Sequence, residues 1–566
     1  MTAPSRSPAR SADVVIVGAG PTGLALANLL GLYGVRTLVL EAEGELFDYP
    51  RGVGIDDESL RTFQTARLTD TVLPHTVPHH LLRFVNGSGR LLAEVDPGEG
   101  DFGWPRRNGF IQPLVDRAML TGLDRFPHVE VLFSHRLTGF TDRDEDVLLS
   151  VTDADGEELT IRTGHLVGCD GGRSTVRKSI GATFEGTTEA TRWLVVDVRN
   201  DPLGTPNAYL GCDPRRPYVS IGLPHGIRRF EFLLLPSETD EQAVEPAHLH
   251  RMLGSLIPHP ERADLIRKRV YTHHARVASA FRRGRVLIAG DAAHLMPVWQ
   301  GQGFNSGIRD AANLAWKLAA VTHGMSDEGL LDTYDAERRG HAAAMVDVSN
   351  KIGKVISPTN RLVAGVRDAI AAALNAFPRA KRYLAEMRYK PMPYYRHGAV
   401  VHLTEPDPRT TAVGRLFVQP EVATGEGERL PLDEVLGPWF AIVTWANDPR
   451  SVLGPQGVET AERLGARLVE VRPMSQLHWK APEQTGDITV VGDVTGRLKK
   501  WFDAHPVSTV VVRPDRFVAG ATIAQRAPQL LTDLAEALHL TPGGPHAGPS
   551  VLPVALPVDG ALAPAE

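Results

Sequence analysis

One glycine turn near the amino terminus limits what this chain can become more than any other stretch. Residues 13–17 are apolar and mostly β-branched, residues 21–33 have a helical pattern, and residues 35–40 are apolar again. Between the first strand and the helix lies Gly18-Ala-Gly20-Pro-Thr-Gly23. Strand, turn, helix and strand in that order make a βαβ unit, the start of a parallel sheet. Gly18 permits the tight turn, Gly20 lets a pyrophosphate approach the backbone, and Gly23 lets helix and strand close on each other. The helix N-terminus adds free N–H groups and a favourable dipole. Glu41, at the end of the next strand, is placed to accept hydrogen bonds from a ribose 2′-hydroxyl. An acid there favours FAD or NAD over NADP at this site.

Composition narrows the classes. With 566 residues the chain exceeds one compact core, and about two to four domains are expected. The 61 basic and 67 acidic residues leave a charge of −6 with no Lys/Arg block, so nucleic acid is not an expected partner. Two cysteines, Cys169 and Cys212, can build neither a disulfide framework nor a four-thiolate metal site, which fits a reducing cytoplasm. The apolar stretch 23–35 is too short for a bilayer, and residues 1–12 lead into the nucleotide motif rather than a secretion signal, so no membrane role is expected.

Further along, residues 80–115 lose periodicity, residues 128–169 alternate in short strands, and residues 190–275 hold more strands around a charged, helix-like stretch at 240–269. A strand at 285–289 returns the chain to a glycine-rich loop and a long helix at 309–321. Residues 330–387 read as helical and 391–410 as a linker. A separate α/β pattern fills 411–540, and the tail 541–566, with six Pro and four Gly, is expected to be mobile.

Two more features follow the glycine turn. One is Cys169-Asp170-Gly171-Gly-Arg173-Ser174; the other is Gly290-Asp291-Ala-Ala-His294, Pro297, then Gly301-Gln-Gly303-Phe-Asn305-Ser306-Gly307 entering a helix. Asp291, closing an apolar strand, can bind a ribityl or ribose hydroxyl, and the glycines admit a flat ring or pyrophosphate to the backbone. Asp170 can equally cap the helix after it.

In this order and spacing the three motifs resemble those of the class A flavoprotein aromatic hydroxylases, over about residues 12–390. The resemblance implies one FAD held by the first and third motifs, Pro297 and Asn305 included, with the D-G segment at Asp170 near both FAD and the nicotinamide cofactor, and NADH or NADPH as a transient co-substrate lacking its own Rossmann domain. The implied fold class is α/β and α+β multi-domain. A Rossmann-like FAD-binding domain (12–190 and 270–390) would carry an inserted substrate-binding sheet (80–115 and 190–275), followed by a thioredoxin-like domain (411–540) without cysteines. Segments YPRGVGIDDE (49–58), FGWPRRNGFIQP (102–113), YTHHAR (271–276), CDPRRPYVS (212–220) and VRPDRFVA (512–519) look like the branch acting on hydroxyphenyl-propionates and hydroxycinnamates. That implies NAD(P)H-driven insertion of one oxygen atom from O₂ into 3-(3-hydroxyphenyl)propionate through a flavin C4a-hydroperoxide, giving the 2,3-dihydroxy product. The alternatives are another phenol (2-hydroxyphenylpropionate, resorcinol, a hydroxybenzoate, a polyketide ring) or an uncoupled oxidase. A homodimer is a family-level expectation.

The same resemblance names site residues. In phenol hydroxylases an Asp after the arginine turn and an Arg-x-Tyr pair lie over the reactive ring, which here match Asp56 or Asp57 and Arg269-Val-Tyr271. Against this, Asp57 can cap the helix beginning near Glu58, and Tyr271 can be a core strand residue. Arg51 matches the arginine that touches the FAD pyrophosphate or nicotinamide nucleotide, and Gln112 a flavin-facing position. His294 reads as a packed histidine, and the pairs His79-His80 and His273-His274 lack the further ligands a zinc site needs. A substrate carboxylate calls for an arginine clamp, for which Arg106, Arg107, Arg215 and Arg216 are candidates.

Overall fold

The computed structural model describes residues 10–49, 51–405, 407–479 and 488–542; the expected tail lies outside the described residues from 543 onward. The amino-terminal βαβ unit builds a sheet whose central strands run parallel in the order Val286–Ile288, Glu158–Gly168, Arg10–Val17, Thr37–Leu40, Val129–Leu132. Val14–Val17 and Thr37–Leu40 are buried throughout, as strands covered on both faces must be. The helices Pro21–Leu32 and Gln302–Thr322 pack against each other beside this sheet. Chain order reverses at Arg10–Val17, between Thr37–Leu40 and Glu158–Gly168, so the crevice beyond its carboxyl end is where a Rossmann-like sheet binds ligands. Gly18 sits there with φ +105° and its missing Cβ 2.5 Å from the Cys169 carbonyl, and a Cβ on Gly23 would strike the Gly18 carbonyl.

A second eight-stranded sheet, mostly antiparallel, is built on the long strands Phe184–Arg199 and Asp264–Ala278, with Ile227–Leu233, Tyr218–Leu223, Ala208–Cys212 and Leu82–Asn86 following in order. The helix-like reading of 240–269 holds only for Asp240–Ala243 and Pro246–Leu253. From Asp264 the chain is strand. Arg267 and Arg269, two apart in it, point to one face while their backbone pairs with Asp197 and Val195.

Helices Asp332–Ile356, Arg361–Asn375 and Pro378–Ala385 lead to a connecting segment that is not loose: Tyr395 stacks on Phe517 at 4.2 Å and Ala399 N donates to Glu337. A seven-stranded mixed sheet, with Ala441–Trp445, Arg467–Pro473 and Ile488–Asp493 parallel at its centre, completes the described chain. It docks on the first unit through Trp316–Phe440 and Tyr33–Trp439 ring contacts and through buried ion pairs of Arg61 with Asp433 and Arg513 with Glu337. No described helix is long and apolar enough to cross a membrane.

Candidate active site

A cavity of roughly 740 Å³ joins the carboxyl edge of the parallel sheet to one face of the second sheet. Its first end is formed by Gly20 and Pro21 at the N-terminus of helix Pro21–Leu32, by Arg51 and Gln112, and by Asp291 with Gly301 and Gly303. Residues from all three motifs, nearly 300 positions apart in the chain, therefore line one space.

Several features fit FAD here. A Cβ on Gly20 would meet no protein atom within 4 Å, so the backbone is bare where a pyrophosphate would lie. Asp291 is open to the cavity and has no hydrogen-bond partner among the described residues, while the protein around it raises its pKa by burial. A carboxylate in that position is a ready acceptor for a cofactor hydroxyl. Gly290, at φ +62°, lets this loop lie directly on Thr22 of the first helix. Glu41 accepts from Ala19 N (2.8 Å) and Glu43 N (3.0 Å), so it fastens the glycine turn to the end of strand Thr37–Leu40. Arg51 stacks over Phe47 at 4.5 Å. Gln112 begins helix Gln112–Gly122, accepts from Gly52 N at 2.6 Å and donates to Asp116 at 3.0 Å; burial pushes Asp116 up to about 7.

Other motif residues serve the scaffold. Asp170 does not line the cavity: its oxygens accept from Ser174 Oγ and from the N–H groups of Thr175 and Val176, which makes it a cap for helix Thr175–Ser179. Cys169, Gly171 and Arg173 beside it do reach the cavity. Pro297 also stays behind the wall, its carbonyl accepting from Ser349 Oγ, while Met296 and Val298 face inward. Asn305 is fully used as a latch, accepting from Asp56 N and Ser59 Oγ and donating to Gly54 O and Gly301 O. His294 is buried against Asp310 at 2.7 Å, a packed histidine.

The opposite end is a face of the second sheet. Strand pairing places Leu82, Ala208, Ile221, Arg229, Asp197 and Arg267 in one cross-strand row. The next row holds Leu210, Val219, Glu231, Val195 and Arg269. The floor is thus apolar on one side and charged on the other. Tyr271, two residues beyond Arg269 on the same face, donates to Glu231 Oε2 at 2.7 Å and lies 3.2 Å from His273 Nε2. Burial, then the Glu231 charge, drives the Tyr271 hydroxyl well above its usual pKa. Arg269 reaches the Tyr49 hydroxyl at 3.3 Å. Arg229 is held bidentate by Asp197 (2.8 and 3.0 Å) and donates to the Arg51 carbonyl, tying the charged half of the floor to the first end.

Asp56 and Asp57 do not belong to this constellation. Asp56, rather than Asp57, is the N-cap of helix Asp57–Thr65, accepting from Ser59 N at 3.0 Å. It also pairs with Arg309 and with Lys390, 3.0 Å away; burial alone would raise its pKa, but those two cations hold it down. Glu58 binds the same cations. Asp57, pushed up to about 7 by burial, faces a separate crevice of only about 10 Å³. The three acids lie close enough to hold a metal, yet Arg309 and Lys390 already supply the positive charge. The carboxylate beside the tyrosine is Glu231, which a reading by motif passes over. A trace was present in the sequence: within the wholly buried run Arg228–Leu233, charged Arg229 and Glu231 alternate with Phe230 and Phe232. Of the four arginines considered for a carboxylate, Arg215 pairs with Asp213 at the surface, Arg216 with Glu238, and Arg106 donates to the Glu386 carbonyl. Arg107 lines the large cavity.

The model of the "FAD binding domain" family matches residues 11–349, and that of the "HcaD C-terminal domain" matches 414–537. A 3-(3-hydroxy-phenyl)propionate/3-hydroxycinnamic acid hydroxylase of Mycobacterium sp. (strain KMS) is 58% identical over 532 residues, 94% of this chain and 92% of that protein. One of the same name from Mycolicibacterium vanbaalenii is 59% identical over 544 residues, 96% and 95% of the two chains. The flavin-dependent monooxygenase PieE, solved with FAD and substrate, superposes with a TM-score of 0.77 at 22% identity, covering 94% of this chain and all of that one, and so shares the fold.

Proposed function

The chain belongs to the FAD-binding flavoprotein hydroxylase family, and from that premise we propose that it hydroxylates 3-(3-hydroxyphenyl)propionate, and 3-hydroxycinnamate with it, ortho to the phenol. The product is the 2,3-dihydroxy acid, and the co-substrates are NAD(P)H and O₂. The observation that supports this most is the single cavity, with bare backbone and Asp291 at one end and Tyr271 on Glu231 at the other. Bound FAD supplies the redox chemistry, taking a hydride from NAD(P)H and activating O₂.

The protein's own residues bind, orient and move one proton. Gly18, Gly20 and Gly23 with the first helix take the pyrophosphate, Glu41 the ribose, Asp291 the ribityl chain, and Gln112 and Arg51 the neighbouring polar atoms. Gly290, Gly301 and Gly303 allow the close approach, and Asn305 holds their loop against Gly54. Tyr271 donates its proton to Glu231 and faces His273 Nε2 with one lone pair, so its oxygen keeps the other to accept from a phenol. As the phenol O–H breaks, its proton passes to the Tyr271 oxygen and the Tyr271 proton passes to Glu231, leaving a phenolate that directs attack ortho. Arg269 and Arg229 bias that side of the floor toward the anion. The apolar floor and the flanking Trp299 keep water away from the ring.

The expected domain division stands as part of this reading: residues 12–190 with 270–390 for FAD, and 80–115 with 190–275 for substrate. Residues 411–540 would form a thioredoxin-like unit serving subunit contact in a homodimer. With only Cys169 and Cys212 in the chain, that unit has no thiol chemistry.

The test is oxygen uptake, with peroxide and product quantified, at saturating NADH across 3-(3-hydroxyphenyl)propionate, its 2-hydroxy isomer, 3-hydroxycinnamate, phenol, resorcinol and 3-hydroxybenzoate. A catechol formed with little peroxide only from the 3-hydroxy acids bearing the three-carbon chain is the expected result. Faster coupled turnover of a ring without that chain would overturn the substrate, and peroxide alone from every compound would overturn the reaction.

A further inference from the structure

The apolar end of the cavity holds a positive charge without a counter-charge. Arg107 precedes strand Asn108–Phe110 and is pinned by His80: His80 N donates to the Arg107 carbonyl (3.0 Å), and Arg107 Nε donates to the His80 carbonyl (2.9 Å). The His80 ring is itself fixed on the Gly222 carbonyl at 2.9 Å, next to Ile221 of the cavity floor. These bonds use Nε alone. Nη1 and Nη2 have no hydrogen-bond or carboxylate partner among the described residues, although the protein surrounds the group closely enough for burial to lower its pKa. His80 cannot compensate, because burial, reinforced by Arg107, holds it neutral with a pKa of about 3. Of the other arginines on the cavity wall, Arg229 is engaged by Asp197, Arg269 by Tyr49, and Arg51 and Arg267 lie over Phe47 and Tyr49, while Arg173 is exposed beside Cys169 and Gly171 at the first end. A desolvated guanidinium with an open fork is costly in isolation and complementary to a carboxylate.

We infer that Arg107 is the carboxylate clamp of this cavity, binding through Nη1 and Nη2 the acid group of an arylalkanoate whose phenol lies at Tyr271 and Glu231. This rests on the functional reading above for the phenol end. The lattice of the sheet sets the length of the ligand. Glu231 and Leu82, two residues along from the His80 that pins Arg107, lie three strands and one row apart, about 16 Å between backbones. The Glu and Arg side chains shorten that span from both ends, and Leu210, Val219 and Ile221 floor what remains. A ring with a short chain spans it. A hydroxybenzoate holds its acid too close to the ring, and an uncharged polycyclic phenol offers the guanidinium nothing.

The test uses the FAD-loaded enzyme and reads binding from the ligand-induced change in flavin absorbance. Wild type, Arg107→Gln, Arg107→Lys and the surface variant Arg215→Gln are each titrated with 3-(3-hydroxyphenyl)propionate and with 3-propylphenol, which lacks the acid. Arg107→Gln is expected to weaken the acid about 10- to 100-fold while leaving 3-propylphenol within about twofold, with Arg215→Gln changing neither. Arg107→Lys, a point charge without the fork, is expected to fall between wild type and Gln for the acid only. Should Arg107→Gln fail to retain FAD, the lysine variant decides: undiminished affinity for the acid overturns the clamp. Equal losses for both ligands, or none for the acid, overturn it as well. A wild-type enzyme that binds the acid in an Arg107-dependent way yet forms no catechol would sink the proposed reaction and leave the clamp standing.

Discussion

Removing one oxygen atom, by Tyr271→Phe, separates the hydroxylation step from everything else the site does. The Tyr271 hydroxyl is 2.7 Å from Glu231 Oε2, and the Glu231 side chain is only 6% exposed. The nearest cation, Arg229 Nη1, is 3.9 Å away, and its guanidinium is already bidentate on Asp197. A hydrogen bond to a charged group in such surroundings contributes about 1.5–3 kcal/mol, so the variant should lose roughly that much stability while keeping its fold and FAD. The effect on chemistry should be larger, because a positioned proton acceptor contributes about 10²- to 10⁴-fold. Flavin reduction by NADH, which needs no phenol deprotonation, should stay near wild type. The assay is anaerobic stopped-flow bleaching of the flavin beside catechol and peroxide counted per NADH in air. Near-normal bleaching with most NADH ending as peroxide is expected, and Glu231→Gln should behave alike, since it keeps a partner for Tyr271 but no proton acceptor. The tyrosine pKa is raised, so its neutral form persists past its usual value of about 10, and the rate should show no limb from Tyr271 ionisation below that pH. Wild-type coupling in Tyr271→Phe would refute the relay.

Four further substitutions probe the frame. Gly20→Ala meets no protein atom within 4 Å and should fold normally but purify with little FAD, whereas Gly23→Ala drives a methyl into the Gly18 carbonyl and should lower the melting temperature of apoprotein as well; equal melting of the two apoproteins would contradict this. Asp433→Asn removes the acid shared by Arg61 (2.7 Å) and Arg516 (3.1 Å) and should cost about 3–5 kcal/mol in denaturant unfolding. Burial would raise the Asp433 pKa, but Arg516 and Arg61 hold it below the usual range; the stability it gives is present above about pH 4 and lost as pH falls through the lowered value, so the wild-type advantage over Asp433→Asn should shrink in acid. Asp116, raised to about 7 by burial, works the other way: the folded state binds the extra proton, so wild type should lose stability as pH rises from about 4 to 7, and Asp116→Asn should be the more stable protein at pH 8 by on the order of 2–4 kcal/mol. A pH-independent difference from wild type would remove Asp116 as the cause.

The cofactor end was legible because its chemistry is made by backbone. A pyrophosphate needs a bare turn at a helix N-terminus, so Gly18, Gly20 and Gly23 must be glycine at fixed spacing, and the spacing survives as a pattern in one dimension. The same logic recovered the Asp291 loop and the long helix after it, which begins earlier than its periodicity suggests, at Gln302, because Gly303 and Gly307 break the apolar pattern without breaking the helix. Capping defeats such a reading. Asp56, Asp57 and Asp170 are acids near glycine turns, as a site acid would be, yet Asp56 and Asp170 accept from helix N–H groups. Local sequence cannot distinguish a carboxylate aimed at backbone from one aimed at a ligand.

The reactive end was hidden for the complementary reason. Its floor is a set of cross-strand rows, each drawing one side chain from strands scattered between Leu82 and Tyr271, so no two of Leu210, Val219, Glu231 and Val195 are near in sequence order on the same strand. Within a strand each contributes only every second residue, and the signal falls to a charged residue flanked by apolar ones, as in Arg229, Phe230, Glu231, Phe232. Arg107 is harder still. It stands in an irregular segment with Arg106 as its neighbour, and only the third dimension shows Arg106 turned to the Glu386 carbonyl and Arg107 turned to the cavity. Backbone geometry specifies the cofactor end of this cavity, and single side chains on a sheet specify its floor. On the proposed reading, a change at Arg107 or Val219 should alter which ring is held, and one at Glu231 how much of it is hydroxylated, with every glycine motif intact, so the floor of the second sheet, not the nucleotide fingerprints, has to be read for the substrate.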